Sequence, residues 1–279
     1  MKWLVLGAQG QLGSAFVATA GGDEVVGLTR TEVDVTDADA LRQAVVSLAP
    51  GVIVNCTAYN NVDGAEDDAQ AALQVNALAV RAMAAAARET SATLVHYSTD
   101  FVFDGEAAQP YTETDRARPV GVYGMSKLLG EWFALEAPRA YVLRVESLFG
   151  GPAARSSVDR IVHALREGRH APVFTDRIVS PSYVDDVVRA TREMLARDAA
   201  PGLYHCVNTG SGSWEDVGRE VADVLGVSHD LLRPTSVHDV TMRARRPVYC
   251  ALSNARLEQA LGRPMPHWRD AVRRHLAKG

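Results

Sequence analysis

A short apolar run, Trp3-Leu4-Val5-Leu6, stops at a glycine and opens directly into a helical pattern. This junction constrains the fold more than any other feature. Glycines recur every three residues through Gly7-Ala8-Gln9-Gly10-Gln11-Leu12-Gly13. At a strand-to-helix turn each has its own use: Gly7 permits the tight turn, Gly10 lets backbone approach a pyrophosphate, and Gly13 allows close helix packing. The helix start then presents free N–H groups and a partial positive charge to phosphate. The loop, with Gln9, Gln11 and Leu12 between its glycines, is expected to bind a dinucleotide.

The pattern after this loop extends the same architecture. Helical spacing covers Gln11 to Thr19, Asp37 to Leu48, the Ala-rich stretch Ala69 to Arg88, and Tyr123 to Leu135. Between them lie apolar runs at Glu24 to Leu28, Val52 to Cys56, Thr93 to Ser98 and Ala140 to Val145. Such alternation predicts an α/β fold, a Rossmann-type doubly wound parallel sheet. After Gly150 prolines shorten the segments, although Trp214 to Leu225 and Ala255 to Leu261 remain helical in pattern. Residues 1–150 are therefore expected to form the NAD(P)-binding domain. Residues 151–279 are expected to form a smaller C-terminal substrate lobe, with some segments returning to the main sheet.

Composition narrows the function classes. The 279 residues are 47% hydrophobic and carry a net charge of −5, which gives no basic field for nucleic acid or anionic membrane. Cys56, Cys206 and Cys250 are far apart and odd in number, with no metal-ligand spacing, so small buried side chains in a reducing compartment are expected. The N-terminal apolar run is too short for a signal peptide or membrane span. A cytoplasmic protein, monomeric or homodimeric, is the expectation.

The second strand ends at Gly27-Leu28-Thr29-Arg30. An acidic residue here usually marks NAD, whereas Arg30 suits a 2′-phosphate. NADP is the expected cofactor, with NAD as the alternative and a solvated arginine as the plain reading of Arg30. Asp34 and Val35 fall where this fold holds adenine. Asp37 reads equally well as a helix cap.

Tyr123-Gly124-Met125-Ser126-Lys127 puts a phenol and an ammonium on one helix face. The ammonium is expected to lower the phenol pKa and to hold the nicotinamide ribose, while Tyr123 protonates a carbonyl oxygen as hydride reaches the carbon. Ser98 and Thr99, at the carboxyl end of a strand, supply hydroxyls that help hold that oxygen.

The run Val95-His96-Tyr97-Ser98-Thr99-Asp100-Phe101-Val102-Phe103-Asp104-Gly105, with Pro110-Tyr111, Glu113 and Val122-Tyr123-Gly124, resembles the dTDP-4-dehydrorhamnose reductases. So do Asn55-Cys56-Thr57-Ala58-Tyr59, Val62-Asp63, Ala65-Glu66, Gly202-Leu203-Tyr204-His205, Trp214 and Arg245-Arg246-Pro247. The resemblance spans essentially the whole chain and implies NAD(P)H-dependent reduction of the C4 ketone of a nucleotide-linked 6-deoxy-4-keto sugar. It implies Thr99, Tyr123 and Lys127 as the catalytic triad, and Asn55, Ala58 and Tyr59 along the cofactor cleft with Asn76 in support. Asn60, Val62, Asp100 and Val102 fall at substrate-contact positions, with Asn60 where the family usually has threonine. Arg246 is placed to pair with the nucleotide diphosphate, or is a surface arginine.

Two stretches depart from the family pattern. Val145-Glu146-Ser147-Leu148-Phe149 stands where Thr-Ser-Trp-Val-Tyr is common, so Ser147 replaces the tryptophan beside the sugar. Either Phe101 or Phe149 fills that space, or the pocket takes a larger or differently substituted sugar. Thr175-Asp176-Arg177-Ile178-Val179-Ser180-Pro181-Ser182 also departs from Asp-Gln-x-Gly-x-Pro-Thr. No counterparts of the family's magnesium-associated glutamates stand out, so no metal is assigned. Two alternatives compete: an epimerase or dehydratase of the extended short-chain dehydrogenase superfamily, and a non-catalytic NADP-binding subunit such as the regulatory subunit of methionine adenosyltransferase. The absence of a Thr-Asp-Glu run at Thr99 counts against dehydration, and the complete Thr99, Tyr123, Lys127 set counts against a binding-only role.

Overall fold

The computed structural model describes residues 1–152 and 156–278. The first half runs β1 (Lys2–Leu6), α1 (Gln11–Ala18), β2 (Glu24–Leu28), α2 (Ala38–Leu48), β3 (Val52–Asn55), α3 (Val62–Asp67), α4 (Ala69–Leu73), α5 (Ala79–Thr90), β4 (Thr93–Thr99), α6 (Val122–Ala134) and β5 (Ala140–Val145). The second half adds β6 (Leu148–Phe149), α7 (Ser157–Arg166), β7 (Ala171–Phe174), β8 (Ile178–Val179), β9 (Ser182–Tyr183) and α8 (Val184–Ala196). It continues through β10 (Gly202–His205), β11 (Gly212–Ser213), α9 (Trp214–Leu225), β12 (Leu232–Thr235), α10 (Ala255–Leu261) and α11 (Trp268–Leu276).

Six strands form the parallel central sheet in the order β2-β1-β3-β4-β5-β10. The order reverses between β1 and β3, and the crevice beyond their carboxyl ends is where such sheets bind ligands. Alternate residues of each strand face the two helical layers, as the period of two requires. Val5, Val54 and Val95 pack with Phe16 of α1 and Val187 of α8, whereas Leu4, Ile53 and Leu94 pack with Leu41 of α2 and Met83 of α5. β10 shows that the chain returns to the main sheet from the second half, pairing Gly202–His205 with Tyr141–Arg144. A third apolar cluster joins Val158, Ile161, Val217, Trp214 and Trp268.

Local chemistry explains several boundaries. Asp37 accepts from the N–H groups of Asp39 and Ala40, so it caps α2. Ser156 and Ser213 form capping boxes with Asp159 and Asp216 at the starts of α7 and α9.

The Ala-rich stretch is not one helix. A wide π-helical turn, Gln74–Leu78, separates α4 from α5. At its centre Asn76 accepts from the Tyr59 N–H at 2.9 Å and donates to the Tyr59 carbonyl at 3.0 Å and the Ser126 hydroxyl at 3.0 Å. A buried amide with these long-range partners outweighs the alanine propensity for regular helix.

Candidate active site

The glycine loop carries the first part of the site. Gly7 has φ of +80°, a conformation that a side chain would strain. A Cβ on Gly13 would lie 2.2 Å from the Gly7 carbonyl oxygen, so only glycine lets α1 approach β1 this closely. Gly10 precedes the helix without side-chain capping, and the first turn contains no acid. The opening N–H groups of α1 thus remain available to an anion. The Gln11 amide turns instead to the carbonyls of Leu148 (3.3 Å) and Gly150 (2.9 Å), tying the loop to the chain beyond β5.

A cleft of about 470 Å³ runs from this loop. It brings together Gly7, Gln9, Gly10, Gln11, Leu12, Arg30, Asp34, Val35, Ala58, Tyr59, Asn60, Tyr123 and Lys127. At one end Arg30 is 87% exposed at its side chain and lies 3.6 Å from Asp34. The Asp34 carboxylate also accepts from the Thr36 backbone and hydroxyl, and these bonds hold it below its ordinary pKa. The uncapped helix start, the close Gly7–Gly13 approach and the single exposed arginine at the far end fit a phosphorylated dinucleotide. Asn55 stands behind the wall. Its amide donates nothing to the cleft: its oxygen holds Thr57, and its nitrogen lies 3.0 Å from His96 Nδ1.

At the other end lies the phenol. α6 starts close to the 3₁₀ turn Asp100–Val102, and a Cβ on Gly124 would meet the Phe101 carbonyl at 2.2 Å. This packing sets Tyr123 edge-on to Phe101, with ring centroids 5.5 Å apart. Thr99 donates to Asp100 Oδ1 at 3.0 Å and accepts from the Phe101 N–H at 3.2 Å. Lys127 is 2% exposed and donates to the Tyr97 carbonyl at 2.6 Å.

The electrostatics correct one expectation. Burial pushes the Tyr123 phenol up to about 12, Asp100 adds to the rise, and the Thr99 hydroxyl opposes it only in part. Lys127 does not lower it. Burial instead brings the lysine down to about 8, against the pull of Glu131. Loss of solvation outweighs the pairing that helical spacing suggested.

The substrate-contact candidates divide. Asp100 is 3% exposed, with Oδ2 lacking a hydrogen-bond partner. Ser147 adopts φ of +44° just beyond β5. Val62 begins α3, whereas Val102 has no exposed surface and packs with Phe103, Tyr111 and Leu252. Arg246 donates to Asp63 at 2.9 Å and to the Ala244 carbonyl at 3.2 Å. Phe149 stacks on Tyr183 in the C-terminal core and does not fill the space left at Ser147. Cys56, Thr57, Val75 and Leu148 also line the cleft, and Glu146 is buried beside it, although no sequence motif marks them as site residues.

The sequence profile of the RmlD substrate binding domain matches residues 1–279. The chain belongs to this family. A probable dTDP-4,6-dihydroxy-2-methyloxan-3-one 4-ketoreductase of Streptomyces antibioticus is 35% identical, over 98% of this chain and 94% of the relative. A dTDP-4-dehydrorhamnose reductase of Burkholderia thailandensis is 34% identical, over 98% of this chain and 97% of its own length. The dTDP-4-dehydrorhamnose reductase of Bacillus anthracis, solved in complex with NADP, superimposes with a TM-score of 0.93 at 28% identity, covering 100% of this chain and 99% of that one. Among the described residues no helix is long and apolar enough to cross a membrane.

Proposed function

We propose that the protein is an NADPH-dependent oxidoreductase that reduces the C4 ketone of a nucleotide-linked 4-keto-6-deoxy sugar. The observation that carries this reading is the meeting of Tyr123 and Lys127 at one end of the cleft that begins at the glycine loop. Family relatives named as 4-keto sugar-nucleotide reductases support the substrate class. NADPH, when bound, supplies the hydride to C4. Tyr123 donates its proton to the oxygen as the alkoxide forms, so ketone, hydride and proton balance to a secondary alcohol. Thr99 turns its hydroxyl from Asp100 towards the same oxygen. Lys127 keeps one N–H on the Tyr97 carbonyl and directs the others to the nicotinamide ribose.

In this reading residues 1–150 hold the cofactor and residues 151–279 mainly the substrate. Gly7, Gln9, Gly10, Gln11, Leu12 and Gly13 cradle the pyrophosphate, and Arg30 leaves Asp34 to meet the 2′-phosphate. Asp34 and Val35 hold adenine, and Ala58 and Tyr59, braced by Asn55 and Asn76, hold the nicotinamide half. Asn60, Val62, Asp100 and Ser147 surround the sugar, while Val102, fully buried against Phe103, Tyr111 and Leu252, supports the turn behind them rather than touching it. Arg246 exchanges Asp63 for the diphosphate. The exposed apolar residues Met125, Trp132 and Leu135 favour a homodimer. A cytoplasmic setting goes with this role.

Ser147 bears on which sugar fits. An aromatic ring there would bury roughly 100 Å² of apolar surface, worth on the order of 2–3 kcal/mol. We expect lower kcat/KM on dTDP-4-dehydrorhamnose than on another, bulkier 4-keto sugar, and Ser147→Trp to shift preference towards the rhamnose precursor. NADPH oxidation followed by absorbance across a panel of 4-keto-6-deoxy sugar nucleotides tests both statements. Binding without turnover on every member would leave the regulatory-subunit reading in its place.

A further inference from the structure

Next to the phenol, the structure buries more negative charge than the local cations balance. Asp100 is 3% exposed and Glu146 2% exposed, and a ligand oxygen of each lies within 4.8 Å of the other and of the Cys250 sulfur. Glu146 Oε2 accepts from the Ser180 N–H, and Asp100 Oδ1 accepts from Thr99. The remaining oxygens, Glu146 Oε1 and Asp100 Oδ2, are buried without a partner. Groups facing them are Arg177 from the segment before β8, the Cys250 thiol beside Asp100 and Tyr249 from the C-terminal segment, Tyr123 from α6, and the Ser147 hydroxyl beside Glu146. Arg177 is the one cation in this set. Its guanidinium lies 3.9 Å from Cys250 Sγ and 5.4 Å from the centre of the Phe101 ring.

Two ionised carboxylates beside one guanidinium would leave an uncompensated charge in a buried site, which is unfavourable. One retained proton answers both: it neutralises one acid and supplies a donor where two carboxylates with a partnerless oxygen each face one another within 4.8 Å. We propose that Glu146 is a positioning residue for the reduction, keeping that proton and donating it in a hydrogen bond to Asp100 Oδ2, so that Asp100 stays oriented towards Thr99 with its charge balanced by Arg177.

Burial raises both carboxyls, but Glu146, facing the Asp100 charge as well, is raised well above the ordinary range, whereas Arg177, Cys250 and Thr99 hold the rise of Asp100 in check, so Glu146 holds the proton. The Asp100 charge in turn raises the Tyr123 phenol. Ionisation of Glu146 in alkali therefore breaks the hydrogen bond and adds negative charge beside the proton donor. This inference rests on the reductase reading.

The test compares the parent protein with Glu146→Gln and Glu146→Leu. Glutamine keeps an N–H donor for Asp100 and cannot ionise; leucine has no donor. For Glu146→Leu, kcat should fall about tenfold or more at neutral pH, the size expected on losing a buried hydrogen bond to a charged group. The KM for NADPH should stay unchanged. Glu146→Gln should restore most of kcat and remove the part of the parent's alkaline limb that Glu146 contributes, leaving the part due to Lys127, which burial brings down to about 8. Independently of turnover, the infrared carbonyl stretch of a protonated carboxylic acid should be present in the parent at neutral pH and missing from Glu146→Gln. Parental kcat in Glu146→Leu, failure of glutamine to restore it, or no protonated-acid band at neutral pH would overturn the proposal. A parent that shows the band but reduces no ketone would overturn the reductase reading and leave the shared proton standing.

Discussion

Behind Lys127, the Glu131 carboxylate receives Arg144 through both oxygens, at 2.8 and 2.7 Å, and the Ser98 hydroxyl at 2.5 Å. Arg144 continues to His205 Nε2 at 3.4 Å, and His205 Nδ1 lies 3.1 Å from the Ser253 carbonyl. Beyond Thr99, Asp100 and Glu146 are buried as deeply, yet each keeps an oxygen without a partner, and the Arg177 Nε–H likewise has no acceptor. Both clusters are next to the reacting centre. The first has its charges paired in bidentate geometry, so its desolvation cost is met and it braces α6 against β5 and β10. The second has no such pairing from the protein's own donors and depends on the proton proposed to lie between its acids, and its Asp100 charge is the one that raises the Tyr123 phenol. Closure marks the support; incompleteness marks the chemistry.

The sharpest test of that contrast removes the proton donor itself. Tyr123→Phe should lower kcat by about 10²–10⁴, the usual worth of a positioned general acid. NADPH affinity, read by fluorescence titration, should remain near the parent value, since the ring stays against Phe101. Unchanged turnover would move the acid elsewhere.

Breaking the closed cluster should cost stability rather than chemistry alone. Glu131→Leu strands a buried arginine and should lower the unfolding free energy by about 3–5 kcal/mol in urea. Adding Arg144→Met should recover most of this loss. If the double variant is as unstable as the single one, the pair is more than a brace.

His205 gives the brace a pH dependence. Burial and the Arg144 charge depress it to about 3. The unfolded chain binds that proton near pH 6.5 and the native protein does not, so stability falls as pH drops from about 6.5 towards 3. Between pH 6.5 and 5 this one group should account for about 1.6 kcal/mol of the loss. His205→Asn should remove that portion; an identical acid limb in both proteins would show that His205 takes up its proton while folded.

The smallest effect is at the exposed end of the cleft. Arg30→Ala should narrow the preference for NADPH over NADH by roughly tenfold, the size of one lost charged contact. A parent that already prefers NADH would leave Arg30 as a surface charge.

What the sequence shows and hides follows the same division. Gly7, Gly10 and Gly13, and the Tyr123–Lys127 spacing, are local patterns whose geometry a strand-to-helix turn or one helix face determines. The open cluster left no such mark. Glu146 and Arg177 are 31 residues apart in sequence and meet only through the turns around β8, so neither looked unusual on its own. The π turn at Asn76 was hidden for a related reason, since its partners Tyr59 and Ser126 lie on other elements. The upward shift of the Tyr123 phenol leaves no mark in the sequence, because spacing reveals a neighbouring charge but not the loss of solvation at a half-buried ring on the cleft wall.

Ketone reduction at this site requires hydride to reach the sugar carbon while Tyr123 supplies the proton. NADPH deuterated at the transferable nicotinamide position, incubated with a 4-keto-6-deoxy sugar nucleotide, measures this directly. The protein should yield an alcohol carrying deuterium at C4, at a rate that Tyr123→Phe abolishes or nearly so. An unlabelled product, or a Tyr123→Phe variant that transfers deuterium at the parental rate, would contradict the account.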